Sequence, residues 1–390
     1  MDILIIGGGI AGLTAALALQ RQSTPQRPLR VRLFEQAPAF GEVGAGITLS
    51  QPASRGLFWL GLQGAIEAAA DIPVRAGGAH FETGERLPGP DHMALARAAG
   101  EIPYFYQLHR ADLHRILSDA VMAADPATIH LGRSFAGLTQ DATGVTAHFT
   151  DGSSARGDIL LGADGINSAV RAQLFGAESP RFTGQVAYRF LVPAQTVRPY
   201  LHLGPSVNYI GPNRGLLRYL IRHGELVNGV AFVRTDSWTG EGWSTPVETE
   251  ELLEKFAGWC PDVQGLLQNA PREGTRKWAL FDRDPLDGWT QGRVTLLGDA
   301  AHPMLPFLGL GAAMGIEDGV VLGRAIGAGA DPVAALARYE ATRRGRANGV
   351  LLASRRQGEI MQARDGVTRR NSTQNDDLMR YDPATVALAA

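Results

Sequence analysis

The chain has 390 residues, 45% hydrophobic and 19% charged, with a formal net charge of −2. These values suit a globular chain long enough for two domains, and they leave no basic footprint for nucleic acid. The one cysteine, Cys260, excludes an intrachain disulfide framework or a multi-cysteine zinc site and fits a reducing compartment.

Residues 2–20 read DILIIGGGIAGLTAALALQ. Ile3 to Ile6 suit a buried strand, and the Ala/Leu-rich stretch after the glycines has helical period. The start lacks a positive n-region and carries glycines, so it reads as first strand and helix rather than a signal peptide. No apolar run reaches transmembrane length. Gly7, Gly9 and Gly12 stand in G-x-G-x-x-G spacing between strand and helix, the context a dinucleotide fingerprint requires. Gly7 permits the turn, Gly9 lets backbone approach a pyrophosphate, and Gly12 lets the helix pack on the strand. The helix N-terminus offers N–H groups to the anion. A second strand, Val31 to Phe34, ends at Glu35, about twenty residues on, where a ribose-binding carboxylate is expected. The motif alone leaves NAD and FAD open.

Gly41 to Thr48 (GEVGAGIT) predicts a loop passing close to something flat or bulky. Helices follow at about Pro52 to Leu60 and on to about Ala70, then short strands with turns from Pro73 to Gly89. Asp91 to Gly100 has no clear period. A helix opens in LHRADLHRIL with Arg110 at its start, a position where a nearby anion would offset the macrodipole. A four-stranded meander is expected over Thr128 to Leu131, Leu138 to Asp141, Val145 to Thr150 and Ala155 to Leu161. The last strand runs into Asp164-Gly165, then a short helix from Asn167 to Phe175. From Phe182 to about Leu280 alternating strands and two helices predict a second, mostly antiparallel domain. Arg293 to Leu297 then reads as a strand ending in Gly298-Asp299. A loop with Pro306, Gly309 and Gly311 leads into a helix, and a long amphipathic helix runs from Pro332 to about Arg356.

The fingerprint, Asp164-Gly165 and Gly298-Asp299, in that order, resemble the three-part signature of single-component FAD-dependent aromatic hydroxylases. The match extends through GEVGAGI, HRADLH, GADGINSAVR, GDAAHPMLPFLGLGAAMGIEDG, ALARYEATRRGRA and the closing YDP. That family includes salicylate, 4-hydroxybenzoate and 3-hydroxybenzoate hydroxylases and hydroxynicotinate monooxygenase. The resemblance implies an α/β fold: a Rossmann-like FAD-binding domain of glutathione-reductase type, a mostly antiparallel β-sheet substrate domain and C-terminal helices. The implied boundaries are 1–72, 101–180 and 285–356 for the FAD-binding domain, 73–100 and 181–284 for the substrate domain, and 357–390 for a tail.

The resemblance also implies roles. Gly7, Gly9, Ala11 and Gly12 hold the FAD pyrophosphate, with Gln36 and Ile47 also at the cofactor. Glu35 binds ribose, Arg110 the phosphates, and Asp164 supports the pyrophosphate region. Asp299 binds the ribityl chain, and Gly311, Ala312 and Ala313 lie at the flavin ring. Tyr219, His302 and Pro306 fall at the catalytic end, and Thr48, Tyr188, Tyr219, Phe307 and Leu310 toward substrate. The implied reaction uses NADH or NADPH and O2, through a flavin C4a-hydroperoxide, to hydroxylate a small phenolic or hydroxypyridine ring, with or without a carboxylate. A base or strong acceptor near the substrate oxygen would help. The implied enzyme is cytoplasmic, monomeric or homodimeric, with no nucleic-acid or membrane partner and no bound metal. Rival readings are a flavin monooxygenase of a larger natural product, a non-catalytic protein of the FAD fold, and a plain NAD dehydrogenase.

The sequence departs from its relatives. Thr48 replaces the histidine of the hydroxynicotinate enzyme. Gly215 replaces a pocket histidine of 3-hydroxybenzoate 6-hydroxylase, four residues before the matching Tyr219. Leu310 replaces a common glutamine, and Phe307 a histidine found in some relatives. These changes make the pocket more apolar. The remaining polar candidates are Tyr219, Arg218, Arg214, Tyr188, Arg189 and His302. Arg218 and Tyr219 alternate across a strand, so both cannot line one pocket. An arginine holding a substrate carboxylate stays open beside a structural role for each. For His302, a local hydrogen-bonding role stands beside a catalytic one.

Overall fold

The computed structural model describes residues 1–41, 45–103, 105–235, 238, 245–329, 331–361 and 376–390. Alternating strands and helices build the first layer. The apolar strand Asp2–Ile6 pairs in parallel with Arg30–Phe34 on one side and Ile159–Gly162 on the other. Val294–Leu296 extends the sheet in parallel beside Ile159–Gly162, and Ile129–His130 beside Arg30–Phe34. Thr290–Gln291 closes one edge antiparallel. Strands buried on both faces read as continuous apolar runs, which is why these segments were visible in sequence.

Among the described residues the second sheet has seven strands, in the order Thr245–Pro246, Arg276–Asp282, Arg181–Pro193, Leu226–Arg234, Arg214–Ile221, Ser206–Gly211 and Ala76–His80. All pairings are antiparallel except the last, where Ala76–His80 lies parallel to Ser206–Gly211. One face packs on the helices Thr249–Lys255 and Pro261–Gln268 through Phe190, Tyr209, Leu252, Phe256 and Leu266. The other face turns toward the first layer. A two-stranded ribbon, Gly46–Ser50 with Phe105–His109, bridges the layers.

Two expectations are corrected. The meander is three-stranded, Phe135–Gln140, Val145–Phe149 and Ser154–Gly157. Ile129–His130 has left it for the parallel sheet. The expected final strand breaks at Asp158, whose carboxylate accepts the Asp2 N–H at 2.7 Å, so that Ile159–Gly162 enters the parallel sheet instead. Residues 91–100 hold a short helix, His92–Ala98, capped by the Asp91 carboxylate. Only Met93 and Ala96 of it are buried, too few to print a period.

The helices Ile10–Gln22 and Gly311–Ala328 lie side by side. Gly315, Gly319 and Gly323 stand on one stripe of the second helix and face Ala11, Ala15 and Ala18 of the first. A Cβ on Gly319 would come within 2.7 Å of the Ala15 backbone nitrogen, so the stripe permits an approach that no side chain would. Among the described residues no helix is long and apolar enough to cross a membrane.

Candidate active site

The first turn sets one end of the site. Gly7 has φ 107° and donates its N–H to Phe34 O at 2.9 Å. A Cβ on Gly12 would lie 2.0 Å from Gly7 O, so the helix can start only where glycine stands. Gly9 is the N-cap, no side chain caps this end, and the space beside it is open. The Glu35 carboxylate accepts the N–H of Gly8 at 2.8 Å and of Ala37 at 2.9 Å. His114, of the HRADLH motif, brings Nε2 to 2.7 Å from Gly8 O, with Phe40 edge-on to its ring at 4.6 Å. Sequence reasoning missed His114, whose i+4 spacing from Arg110 puts both on one helix face.

A cavity of about 480 Å³ runs from this turn to the second sheet. Gly9, Ile10 and Ala11 form one end. Arg110, Ala163, Gly165, Ile166, Gly298, Asp299, Gly311, Ala312 and Gly315 line its length. Ile47, Thr48, Arg189, Tyr219, Phe232, Trp278, Met304 and Pro306 are among the residues at the far end. The start of Gly311–Ala328 also lacks a side-chain cap. Two helix N-termini thus present unpaired N–H groups to one cavity, and each favours negative charge there. Open backbone at Gly9, a second N-terminus at Gly311, and Arg110 along one wall fit a dinucleotide carrying a pyrophosphate and a ring that gains charge on reduction.

Asp299 opens to this cavity. Enclosure by protein pushes its carboxyl upward, against the pull of His302 and Arg110. Its loop is fixed from behind. Asp318 accepts the Gly298 N–H at 2.8 Å, lies 2.6 Å from His302 Nε2, and accepts from Arg343 Nε at 2.8 Å. Arg343 also pairs with Glu317 at 2.6 Å, and Glu317 with Arg346 at 2.9 Å. Both arginines lie over the ring of Tyr381, which explains the closing YDP. Burial would raise Asp318, but His302 and Arg343 outweigh it and hold the carboxyl at about 2.

The second sheet places the far wall by strand alternation. Leu217, Val230 and Arg189 stand opposite one another on three adjacent strands and line the cavity. Tyr219 lies directly opposite Asn228, whose Oδ1 accepts the Gly46 N–H at 2.8 Å. A Cβ on Gly46 would meet the Tyr219 ring at 2.6 Å. This is the bulky neighbour that the glycine-rich segment was expected to pass; Glu42 to Gly44 lie outside the described residues. Burial drives the Tyr219 hydroxyl up to about 12, against Arg189 and a hydrogen bond with Thr48.

The structure brings Gly9, Ala11, Ile47, Thr48, Arg110, Tyr219, Asp299, Pro306, Gly311 and Ala312 to one cavity. Several expected residues stand elsewhere. His302 is buried in the Asp318 cluster, edge-on to Trp289, and off the cavity wall. Tyr188 points to the opposite face of its strand and donates to Glu251 at 2.8 Å. Phe307 packs 5.1 Å from the Phe232 ring, on the cavity-facing side of the second sheet beside the lining residues, and Leu310 and Ala313 are buried in the core. Asp164 caps the helix Ala169–Phe175 region, accepting from the Ser168 hydroxyl and the Val170 N–H, while its neighbours Ala163 and Gly165 line the cavity. Gln36 is not part of the wall. Arg218 and Arg214 are held by backbone carbonyls of Gly204 and Lys255 on the far side. Replacing Tyr188 by phenylalanine is therefore expected to leave kcat/KM within about twofold, since the lost hydrogen bond lies across the sheet from the cavity; a tenfold drop in steady-state assays would contradict this placement.

The comparisons agree with this geometry. The FAD binding domain family matches residues 1–354. The 3-amino-4-hydroxybenzoate 2-monooxygenase PtnB3 of Streptomyces platensis is 40% identical, over 94% of this chain and 90% of that protein. The 6-hydroxynicotinate 3-monooxygenase of Pseudomonas fluorescens is 33% identical, over 89% of each. Klebsiella pneumoniae HpxO, solved with FAD and uric acid, superposes with a TM-score of 0.83 at 28% identity, covering 98% of this chain and 93% of that one. With the fingerprint turn, the Asp299 loop and the second sheet meeting at one cavity, the chain belongs to the FAD-binding family of aromatic-ring monooxygenases.

Proposed function

We propose that this enzyme hydroxylates a small phenolic or hydroxypyridine ring, using FAD, NADH or NADPH, and O2. The observation that supports it most directly is the single cavity joining the fingerprint turn to the Tyr219 wall. In this reading Gly7, Gly9, Ala11 and Gly12 seat the pyrophosphate, Glu35 the ribose, Arg110 the phosphates and Asp299 the ribityl chain. Gly311 and Ala312 face the flavin ring. When bound, FAD supplies the redox and oxygen chemistry. The domain division is 1–72, 101–180 and 285–356 for FAD, 73–100 and 181–284 for substrate, and 357–390 as tail. A cytoplasmic enzyme, monomeric or homodimeric, fits this reading.

The chain's own residues orient the ring and manage a proton. Tyr219 stays protonated at neutral pH, because burial raises its hydroxyl far above that range. It therefore acts as a hydrogen-bond donor toward the substrate oxygen and not as a base. A donor at that oxygen stabilises the phenolate, the more nucleophilic form of the ring. Ile47, Phe232, Met304 and Pro306 keep the far end apolar and exclude water. Tyr219→Phe is expected to lower kcat/KM by roughly 10- to 100-fold, the worth of a hydrogen bond to a charged oxygen. The pH profile between 6 and 9 should keep its shape, since Tyr219 does not titrate there. A lost limb in that profile would identify Tyr219 as the titrating group instead.

The reading is tested with purified, FAD-loaded protein, following NADH and NADPH oxidation against hydroxybenzoates and hydroxypyridines with product analysis. A ring compound that stimulates oxidation and returns hydroxylated supports it. Protein that cannot be loaded with FAD, or that oxidises nucleotide without hydroxylating any ring, overturns it.

A further inference from the structure

We propose that residues 376–390 are a clasp on the FAD site, with Tyr381 and Arg55 as positioning residues that slow release of the cofactor. The proposal rests on the placement of the flavin end near Ile47 and Gly311 given above. Arginines on three helices hold the segment. Arg55, on Gln51–Trp59, donates from Nη1 to Met379 O at 2.7 Å and to Tyr381 O at 3.1 Å. Arg324, on Gly311–Ala328, donates to Pro383 O at 2.8 Å. Arg346, on Pro332–Met361, donates to Leu378 O at 2.9 Å. Thr342, on the same helix, accepts the Ala389 N–H at 2.9 Å. The Tyr381 ring centre lies 4.2 Å from the Arg346 guanidinium carbon and 5.2 Å from that of Arg343. Met379 is buried, and Leu378, Val386 and Leu388 pack on the same core.

Each of the three helices supports part of the cavity lining. Gln51–Trp59 continues directly from the strand Gly46–Ser50, where Ile47 and Thr48 line the cavity. Gly311–Ala328 starts in the wall. Arg343, on Pro332–Met361, binds Asp318, which accepts the Gly298 N–H beside Asp299. The first two helices and the clasp meet at one glycine: a Cβ on Gly56 would lie 2.9 Å from Ile316 Cγ2 and 3.4 Å from Pro383 Cγ. One segment thus ties the stretch at Ile47 to those at Asp299 and Gly311. A deeply seated cofactor leaves by local opening of its lining, and opening spreads the helices that the segment joins. Losing the clasp therefore acts on the release rate. Most of its contacts run to main-chain carbonyls, so they are broken by replacing the donor arginine.

The test uses FAD-loaded protein. FAD release after dilution is followed by flavin fluorescence, and melting of the FAD-free chain is measured separately. Arg55→Met and Tyr381→Leu are each expected to speed release about tenfold, the first by losing charged hydrogen bonds and the second by losing cation–π contacts. Tyr381→Phe keeps the ring and should stay within about twofold of wild type. Val263→Ala is the control: Val263 is buried under the second sheet, in a different cluster from the one beneath the clasp. It should lower the melting temperature and leave release unchanged. Release unchanged in both Arg55→Met and Tyr381→Leu overturns the proposal. Release speeded as much by Val263→Ala would show that FAD loss follows general stability, and also overturns it. Equal acceleration in Tyr381→Phe and Tyr381→Leu overturns the stacked ring as the positioning group. Ile47→Ala checks the placement of the flavin end and should shift the visible flavin spectrum. A shift there, with the clasp variants inert, defeats the clasp alone; no shift defeats the placement and the clasp together.

Discussion

Replacing Asp318 by alanine is expected to cost about 3–5 kcal/mol of folding stability and to weaken FAD binding. Asp318 is buried between His302 and Arg343 and accepts the Gly298 N–H. Without it, Arg343 keeps one acidic partner among the described residues, Glu317, and Glu317 is shared with Arg346. The Gly298-Asp299 loop loses its inner tether at the same time. Denaturant unfolding should show the loss, and FAD titration should show weaker binding beyond it. A variant within 1 kcal/mol of wild type would mean that the cluster rearranges without Asp318. The same carboxylate predicts an acid limb. Its folded value, about 2, lies below its ordinary 3.8. The stabilisation is therefore present above about pH 4 and is lost as pH falls toward 2, a contribution of roughly 2 kcal/mol.

The second large effect is expected at Gly319. Gly319→Val should cost about 3 kcal/mol, as overpacking of a close contact does. The obstacle is backbone, the Ala15 nitrogen 2.7 Å from the new Cβ, and backbone cannot rotate aside. The helices Ile10–Gln22 and Gly311–Ala328 must then separate, and their two N-termini no longer converge. FAD affinity should fall with stability. Gly349→Ala is the control, because a Cβ there meets nothing within 4 Å. It should stabilise the chain by up to about 1 kcal/mol through helix propensity. If Gly319→Val melts with the wild type and keeps its FAD, the close approach is not what sets the helix pair.

The parallel sheet and the helix after it were legible because apolar runs and glycines carry them. Turn chemistry marked Gly7 and Gly12, and their close approach is now explained by the Gly7 carbonyl. The second sheet was legible as alternating strands, but its faces were not. Alternation showed that Tyr219 and Arg218 part company; it did not show which of Tyr188 and Arg189 faces the cavity, because that depends on which side the helices Thr249–Lys255 and Pro261–Gln268 cover. His302 follows Asp299 so closely that it reads as part of the site. Its partner is sixteen residues on, in the middle of an apolar helix, and only the packing of that helix discloses the pair. The pair Glu317-Asp318 within that helix was the available signal, since adjacent buried acids need cations, and Arg343 and Arg346 stood ready in the next helix. Phe307 and Leu310 matched relatives by position, yet the 3₁₀ turn Pro306–Leu308 sets the Phe307 ring against Phe232, beside the lining residues, and Leu310 is buried.

The cavity also bears on how the chain is made. Its lining residues are scattered along the chain, from Gly9 through Gly46, Arg110, Ala163, Arg189, Leu217, Phe232 and Trp278 to Gly315. The second strand of the polypeptide finds its neighbour early, but the first strand's other neighbour is some 155 residues away, and that neighbour waits for Val294. A chain leaving the ribosome therefore cannot close the parallel sheet until about three-quarters of it has emerged, and such late pairing makes for slow folding. A shortened chain lacking the segment after Asp282 keeps the fingerprint turn but loses the Asp299 loop and the Gly311 helix start, and with them one wall of the cavity.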